Sequence, residues 1–288
     1  MSSILINSSK KEESIGLSSF FVLRMVGFVN FKPDVKSFNL LQNIMRKIEV
    51  CCSSLYEARE AEAGGAVRIE LCGAIACGGV TPSAGVIRQI VEAGLNIDVN
   101  VLIRAREGGF CYSEEEVDAM CRDIEFCREV GADGVVVGAL TQSGEIDMEA
   151  CCKMIQAAGD MSVTFHRAFD VCVAPKEALE QIISLGCDRL LTSGCQSTAE
   201  RGADFIAELV EQAAGRIIVM PGAGIRPTNI AKIEKITRAA EFHSTARKDC
   251  PDYAFRSEVV DFSAYPDKEG LLPLSSAEVV SQLVNNSL

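Results

Sequence analysis

The sequence predicts an α/β fold, a TIM-type (β/α)8 barrel in a single domain behind an N-terminal extension. Three observations lead there. From Lys47 onward, apolar runs of about five residues alternate with amphipathic stretches of about twelve, the pattern of βα units on a parallel sheet. Eight such units can be counted, enough to close a ring. Both histidines, His166 and His243, fall at the ends of apolar runs, and other runs end in Cys, Arg or Glu. A closed parallel barrel gathers the carboxyl ends of its strands into one pocket, so such scattered residues become neighbours. An open doubly wound sheet shares the alternation, but eight units in one domain fit closure better.

Taken in order, residues 1–45 form the extension, Ser-rich and expected to lack defined structure, and residues 46–288 form the barrel. The apolar run from Phe20 to Phe31 is broken by Arg24 and Asn30 and is too short to span a membrane. Strands are expected at Lys47–Cys51, Val67–Cys72, Ile97–Arg104, Gly134–Gly138, Ser162–His166, Asp188–Thr192, Arg216–Met220 and Glu241–Ser244. Helix starts are read from the S-x-x-E capping pattern at Ser54/Glu57, Ser113/Glu116, Ser197/Glu200 and Ser275/Glu278, with Pro82, Pro175 and Pro227 suited to first turns. Helix stops are read at Gly64-Gly65, Gly94, Gly131, Gly159, Gly186 and Gly215, each just before a strand.

Composition bounds the function. With 48% hydrophobic residues the 288-residue chain can bury a full core. Thirteen cysteines, an odd number, without a cleavable signal pattern point to free thiols in a reducing compartment, the cytoplasm or the nucleus. A net charge of −12 with no basic cluster argues against a nucleic-acid partner.

Strand alternation sorts the side chains. Val67, Ile69 and Leu71 share the face expected to meet helices, whereas Arg68, Glu70 and Cys72 share the face that points into the barrel. The same split places Glu49, Cys51, Asn100, Arg104, Thr164, His166, Glu241 and His243 inside. Unpaired buried charge costs several kcal/mol, so these groups must pair with one another or with a ligand. Arg68 is expected to neutralise Glu49 or Glu70 low in the barrel. Cys51, Cys72, Arg104, His166 and His243, at the carboxyl-end rim, are candidates for contact with a ligand.

Ile48-Glu49-Val50-Cys51, the run from Gly64 to Cys72, and Gly78-Gly79-Val80-Thr81-Pro82-Ser83 together resemble the CutC copper homeostasis family. The segments Val163–Asp170, Leu191–Gly194, Val219–Ile225 and Glu241–Arg247 agree in order and spacing, so the resemblance covers roughly residues 47–262. It implies a TIM-type barrel, cytosolic and often a homo-oligomer, with a link to copper through the positions of Cys51 and Cys72. Departures from the family pattern are visible: Ser53 stands where an Asp is expected and Cys77 where a Glu is expected. The loop Arg104-Ala105-Arg106-Glu107-Gly108-Gly109-Phe110 lacks the acid that usually precedes the Phe.

Two functional readings stand side by side. In the first, Cys51 and Cys72 end neighbouring strands about 4.8 Å apart, both pointing inward, and share one ion. Soft thiolates favour Cu(I), and Cys52 and Cys77 are further sulfurs nearby, with Cys52 expected to face the helices. In the second, the barrel is an enzyme acting on a small phosphorylated or carboxylated metabolite. The turn Pro221-Gly222-Ala223-Gly224-Ile225 with Ser244 and Arg247 is then an anion cradle, or else a plain tight turn, and Arg104 or Arg167 holds a second anionic group. His166 and Glu70 would move the proton, and Asp170 would orient His166 or cap the next helix. A binding or regulatory protein that retains a decayed active site would also suit the missing rim acids.

Overall fold

The computed structural model describes residues 45–252 and 270–285. The chain alternates strand and helix: β1 (Lys47–Cys52), α1 (Leu55–Ala63), β2 (Arg68–Leu71), α2 (Ala84–Val91), β3 (Asp98–Leu102), α3 (Glu114–Val130), β4 (Gly134–Val137) and α4 (Met148–Ala158). It continues with β5 (Ser162–Phe165), α5 (Pro175–Ser184), β6 (Arg189–Thr192), α6 (Ala203–Ala213), β7 (Ile218–Pro221), α7 (Ile230–Thr237) and β8 (Glu241–Ser244). A short hairpin, β9 (Arg247–Pro251) and β10 (Leu271–Ser275), comes next, and then α8 (Ala277–Asn285).

The eight parallel strands are ordered 7-6-5-4-3-2-1-8, so β1 pairs with β8 and the two ends of the ring, β7 and β8, meet at a seam. At that seam Gly222 has no room for a side chain: a Cβ there would sit 2.5 Å from Leu191 Cδ1 and 3.4 Å from His243 Cβ. The register sets Glu49 opposite Arg68 and His243, and Cys51 opposite Glu70. Each of these side chains therefore projects inward from the same level as its neighbour.

Alternation puts Ile48, Val50, Ile69, Leu71, Val99, Val101, Val135, Val137 and Phe165 on the outer face, buried against the helices. At roughly 1.5–3 kcal/mol per fully buried aliphatic or aromatic side chain, this outer layer supplies the apolar stabilisation and leaves the interior for polar groups. Cys52 belongs to it and is fully buried, as the alternation predicts.

The eight strands match the sequence expectation, with no end moved by more than two residues. The expected starts hold in part. Ser113 and Glu116 form a complete capping box at α3, and Pro175 opens α5. Ser54 caps α1, but the Glu57 carboxylate accepts from Ser53 N and Oγ, at 2.8 Å each, and from Ser275 N of the hairpin at 3.0 Å. Two expected starts are corrected. No helix begins at Ser197; α6 starts at Ala203, and Glu200 is drawn off to Lys232 at 2.9 Å. Ser275 ends β10, while Glu278 pairs with Lys248. Pro82 and Pro227 lie ahead of their helices: Pro82 precedes the cap Ser83, and Pro227 lies before α7. A four-residue pattern is local, and long-range partners win where they are charged and near.

The expectation for residues 1–45 falls, Met45 apart, outside the described residues. Among the described residues, no helix is long and apolar enough to cross a membrane.

Candidate metal centre

The barrel interior is built in polar layers. At the bottom the Arg68 guanidinium donates to Glu49 on β1 and to Glu241 on β8, the latter at 2.7 Å, and Arg189 donates to the same Glu241 oxygen at 2.8 Å. Of the two expected partners of Arg68, Glu49 is the one used. One level up, Glu49 Oε1 meets His243 Nδ1 at 2.7 Å, which leaves His243 Nε2 3.7 Å from Glu70 Oε2. At the top, Cys72 Sγ lies 3.2 Å from Glu70 Oε2 and 3.3 Å from Cys51 Sγ. The sulfurs of β1 and β2 thus converge as the inward-facing reading requires.

These contacts fix the protonation pattern. Burial opposes charge on Glu49, but His243 and Arg68 overcome it and hold the carboxyl near 2. Burial likewise opposes charge on His243, and Glu70, Cys51 and Glu49 outweigh it, so its pKa stands well above the ordinary imidazole value. The hydrogen bond from the Cys72 thiol brings Cys51 down to about 5, with help from His243. Burial pushes Cys72 well up, so this sulfur keeps its own proton while Cys51 gives its proton up. Burial also raises Glu70 to about 8.

The layers open into a cavity of about 1100 Å³ at the carboxyl ends, lined among others by Cys51, Glu70, Cys72 and His243, by Arg104 after β3 and by His166 after β5. Cys51, Glu70 and His243 each offer a ligand atom within 4.8 Å of the other two. The donor chemistry, two sulfurs with an imidazole and a carboxylate beside them, fits a soft or borderline cation.

After β5, His166 Nδ1 accepts the Ala168 N–H at 3.2 Å, so the ring proton sits on Nε2, which is buried with no partner. Burial above all, with Arg104 nearby, lowers this histidine to about 3, and it stays neutral. Arg104 is clamped by the carbonyls of Gly79 and Gly108 at 2.7 Å each and stacks 5.0 Å from the Phe110 ring; its Nε is buried without a partner. No bond joins His166 to Glu70 or Asp170. The Asp170 carboxylate is filled by Thr192 Oγ1, the Ser193 and Cys195 N–H groups and Arg167, and so braces the loop after β6. Gly222 spends its N–H on Thr192 O at 2.9 Å, whereas Gly224, at φ +78°, lines the cavity. The Ser244 hydroxyl donates to Ile225 O and accepts from Ala246 N, and Arg247 lines the mouth 3.8 Å from Glu57 Oε1.

A model of the CutC family matches residues 46–248, spanning the whole ring of strands and every group just described. The chain belongs to the CutC family. A CutC family protein of Parabacteroides distasonis is 55% identical over 202 residues, covering 70% of this chain and 83% of that protein. One from Porphyromonas gingivalis is 45% identical over 241 residues, covering 83% and 97%. The crystal structure of CutC from Streptococcus agalactiae, a protein named for copper homeostasis, superposes with a TM-score of 0.67 at 33% identity, covering 70% of this chain and 99% of the other.

Within this CutC barrel the departures from the family pattern find their places. Ser53 donates to Glu57, and Cys77 lies at the cavity edge with its thiol on Ala74 O at 3.0 Å. Glu107 is exposed and away from the cavity, so it does not replace the missing loop acid. Sequence reasoning read Glu57 only as a helix-cap partner of Ser54 and missed that it is a fully buried carboxylate that ties α1 to the hairpin. It placed His243 at the rim as a candidate for ligand contact without seeing its partner; the inward register of Glu49 and His243 was the signal that they would pair.

Proposed function

We propose that this CutC protein binds one Cu(I) per chain through Cys51 and Cys72 and serves copper handling in a reducing compartment such as the cytosol. The observation that carries this reading is the 3.3 Å approach of two inward sulfurs, from adjacent strands, on the wall of an accessible cavity. Thiolates select Cu(I) over harder ions, and a thiol paired with a low-pKa thiolate needs to release only one further proton to bind it. All thirteen cysteines are free thiols, in keeping with a reducing environment. Anaerobic Cu(I) titration against a competing chelator tests it: one equivalent in the wild type and none at the same chelator strength in Cys51→Ser or Cys72→Ser. Wild-type stoichiometry and affinity in both variants would sink the two-sulfur site.

A second reading is favoured by His166 and Arg104, which line the cavity and each carry a buried N–H, Nε2 and Nε, without an acceptor. They suit a carboxylate or phosphate oxygen of a small metabolite, with Arg247 and the Gly224 turn at the same mouth. The neutral His166 is then a hydrogen-bond donor, and proton transfer rests on Glu70. A panel of phosphorylated and carboxylated metabolites should contain one that raises the melting temperature of the wild type and not of Arg104→Ala. No shift with any member removes this reading.

A further inference from the structure

We propose that His243 and Glu70 complete, with Cys51 and Cys72, a four-donor site that holds a divalent ion of the zinc class as well as Cu(I). This rests on the reading of the two cysteines as ligands and extends it.

Spacing is the first argument. A two-coordinate ion with metal–sulfur bonds of about 2.3 Å on opposite sides needs sulfurs about 4.6 Å apart, whereas tetrahedral ligands with bonds of about 2.0–2.3 Å stand roughly 3.3–3.8 Å from one another. Here Cys51 Sγ to Cys72 Sγ is 3.3 Å, Cys72 Sγ to Glu70 Oε2 is 3.2 Å, and His243 Nε2 to Glu70 Oε2 is 3.7 Å. Cys51, Glu70 and His243 lie mutually within 4.8 Å; Cys72 stands outside that mutual set, next to Cys51 at 3.3 Å and Glu70 at 3.2 Å, and its sulfur has to turn toward His243 to become the fourth donor. The sulfurs stand at the spacing of a crowded ion, and a two-coordinate Cu(I) would need them to draw apart by about 1.3 Å on binding.

Orientation is the second. A metal-binding histidine characteristically gives its other ring nitrogen to a carboxylate, which fixes the ring and makes it a better ligand. His243 does this with Nδ1 on Glu49 Oε1 at 2.7 Å, and Glu49 is itself anchored by Arg68. The nitrogen left over, Nε2, is the one that faces Glu70 and Cys51. An anchor of two buried charged residues behind one histidine is more than packing requires, since an apolar set of similar volume would fill the space at no desolvation cost. Two thiolates, an imidazole and a carboxylate are the donors that zinc takes in closed tetrahedral sites.

Co(II) reports coordination number, so the full-length protein is titrated anaerobically with Co(II), then with Zn(II) in competition, and separately with Cu(I). The expected result is one Co(II) with the intense visible absorption of four-coordinate cobalt and thiolate charge transfer, displaced by one Zn(II). Glu70→Gln and His243→Gln should each weaken Zn(II) by more than about 100-fold while Cu(I) affinity changes far less, because the sulfurs remain. Glu49→Gln, which leaves all four ligands, should keep the cobalt spectrum and weaken Zn(II) by about 10–100-fold. Far-ultraviolet circular dichroism confirms that each variant is folded. Cu(I) binding with weak, six-coordinate cobalt lacking charge transfer, or with Zn(II) affinity unmoved in Glu70→Gln and His243→Gln, would overturn the four-donor site and leave the copper reading standing. Failure of every metal to bind would overturn both.

Discussion

His166 illustrates how one buried side chain writes itself into stability. Its pKa falls from 6.5 to about 3 because burial opposes the charged ring. The unfolded chain therefore takes up a proton below pH 6.5 that the folded chain refuses until about pH 3. The neutral histidine's contribution is complete above 6.5 and is lost as pH falls, at about 1.4 kcal/mol per pH unit. In His166→Gln this slope disappears, so the stability difference between variant and wild type should shift by about 2–3 kcal/mol in the variant's favour between pH 6.5 and 4.5. Urea unfolding at several pH values checks it, and parallel curves for the two proteins would refute it. Glu70 titrates in an overlapping range with the opposite sense, since its raised pKa favours the folded state at low pH, but it is common to both proteins and cancels. Arg68 is a second residue with a large expected effect. Its removal leaves Glu49 and Glu241 facing each other in the barrel floor, so Arg68→Met should cost about 3–5 kcal/mol by chemical denaturation. A cost under about 1 kcal/mol would mean that the floor takes up protons or water instead of holding charge.

Elements were legible where the local pattern and the long-range environment ask for the same residue. The eight strands could be read because alternation in Arg68-Ile69-Glu70-Leu71 serves two faces at once, apolar under the helices and polar inside. The hairpin β9–β10 was not legible: Arg247–Pro251 is polar and partly exposed, and its pairing with Leu271–Ser275 spans residues far apart in sequence. The same holds for Ser275, which the local pattern assigns to a helix cap and the fold assigns to Glu57. Gly64 makes the long-range term measurable. Its φ of −78° suits any residue, but a Cβ there would collide with Val280 of α8, which is fully buried. The contact is one of those that lay α8 against α1 and so seal the ring from outside. Gly64→Ala should cost about 1–3 kcal/mol through overpacking. In a Val280→Gly background both Val280 contacts, Cβ at 2.4 Å and Cγ1 at 2.7 Å, are gone and only Ala277 O at 2.8 Å remains, so the same change should cost at least about 1 kcal/mol less, as a double-mutant cycle reads it. Additive losses would show that α8 shifts freely and that this contact does not hold the closure.

At the scale of the whole molecule, the candidate site joins the two ends of the barrel chain, since Cys51 lies on β1, Cys72 directly after β2 and His243 on β8. The fold places them together because β1 pairs with both β2 and β8. Sequence reading reached the two cysteines because both end strands that are consecutive; the partnership of Glu49 with His243, 194 residues apart, depends on ring closure and on the register between first and last strands. That arrangement lets hydrogen exchange separate two ways of holding a metal. Any ion that binds only the folded state raises global stability, by about 2.7 kcal/mol at a hundredfold excess over its Kd, and every amide that exchanges through global unfolding gains that amount. Amides of β8 that exchange when this strand peels from β1 behave differently. An ion held by the two sulfurs alone stays bound while β8 peels, so these amides gain nothing from it until global unfolding becomes their route. An ion that also takes His243 must release a ligand before β8 can leave, so the same amides gain protection directly. Zn(II) should therefore slow exchange in Glu241–Ser244 more than an equally saturating dose of Cu(I), while β4 and β5 on the opposite wall respond equally to both. Equal protection of β8 by the two ions would mean that His243 is a ligand to both or to neither, and the Glu70→Gln and His243→Gln titrations then decide which.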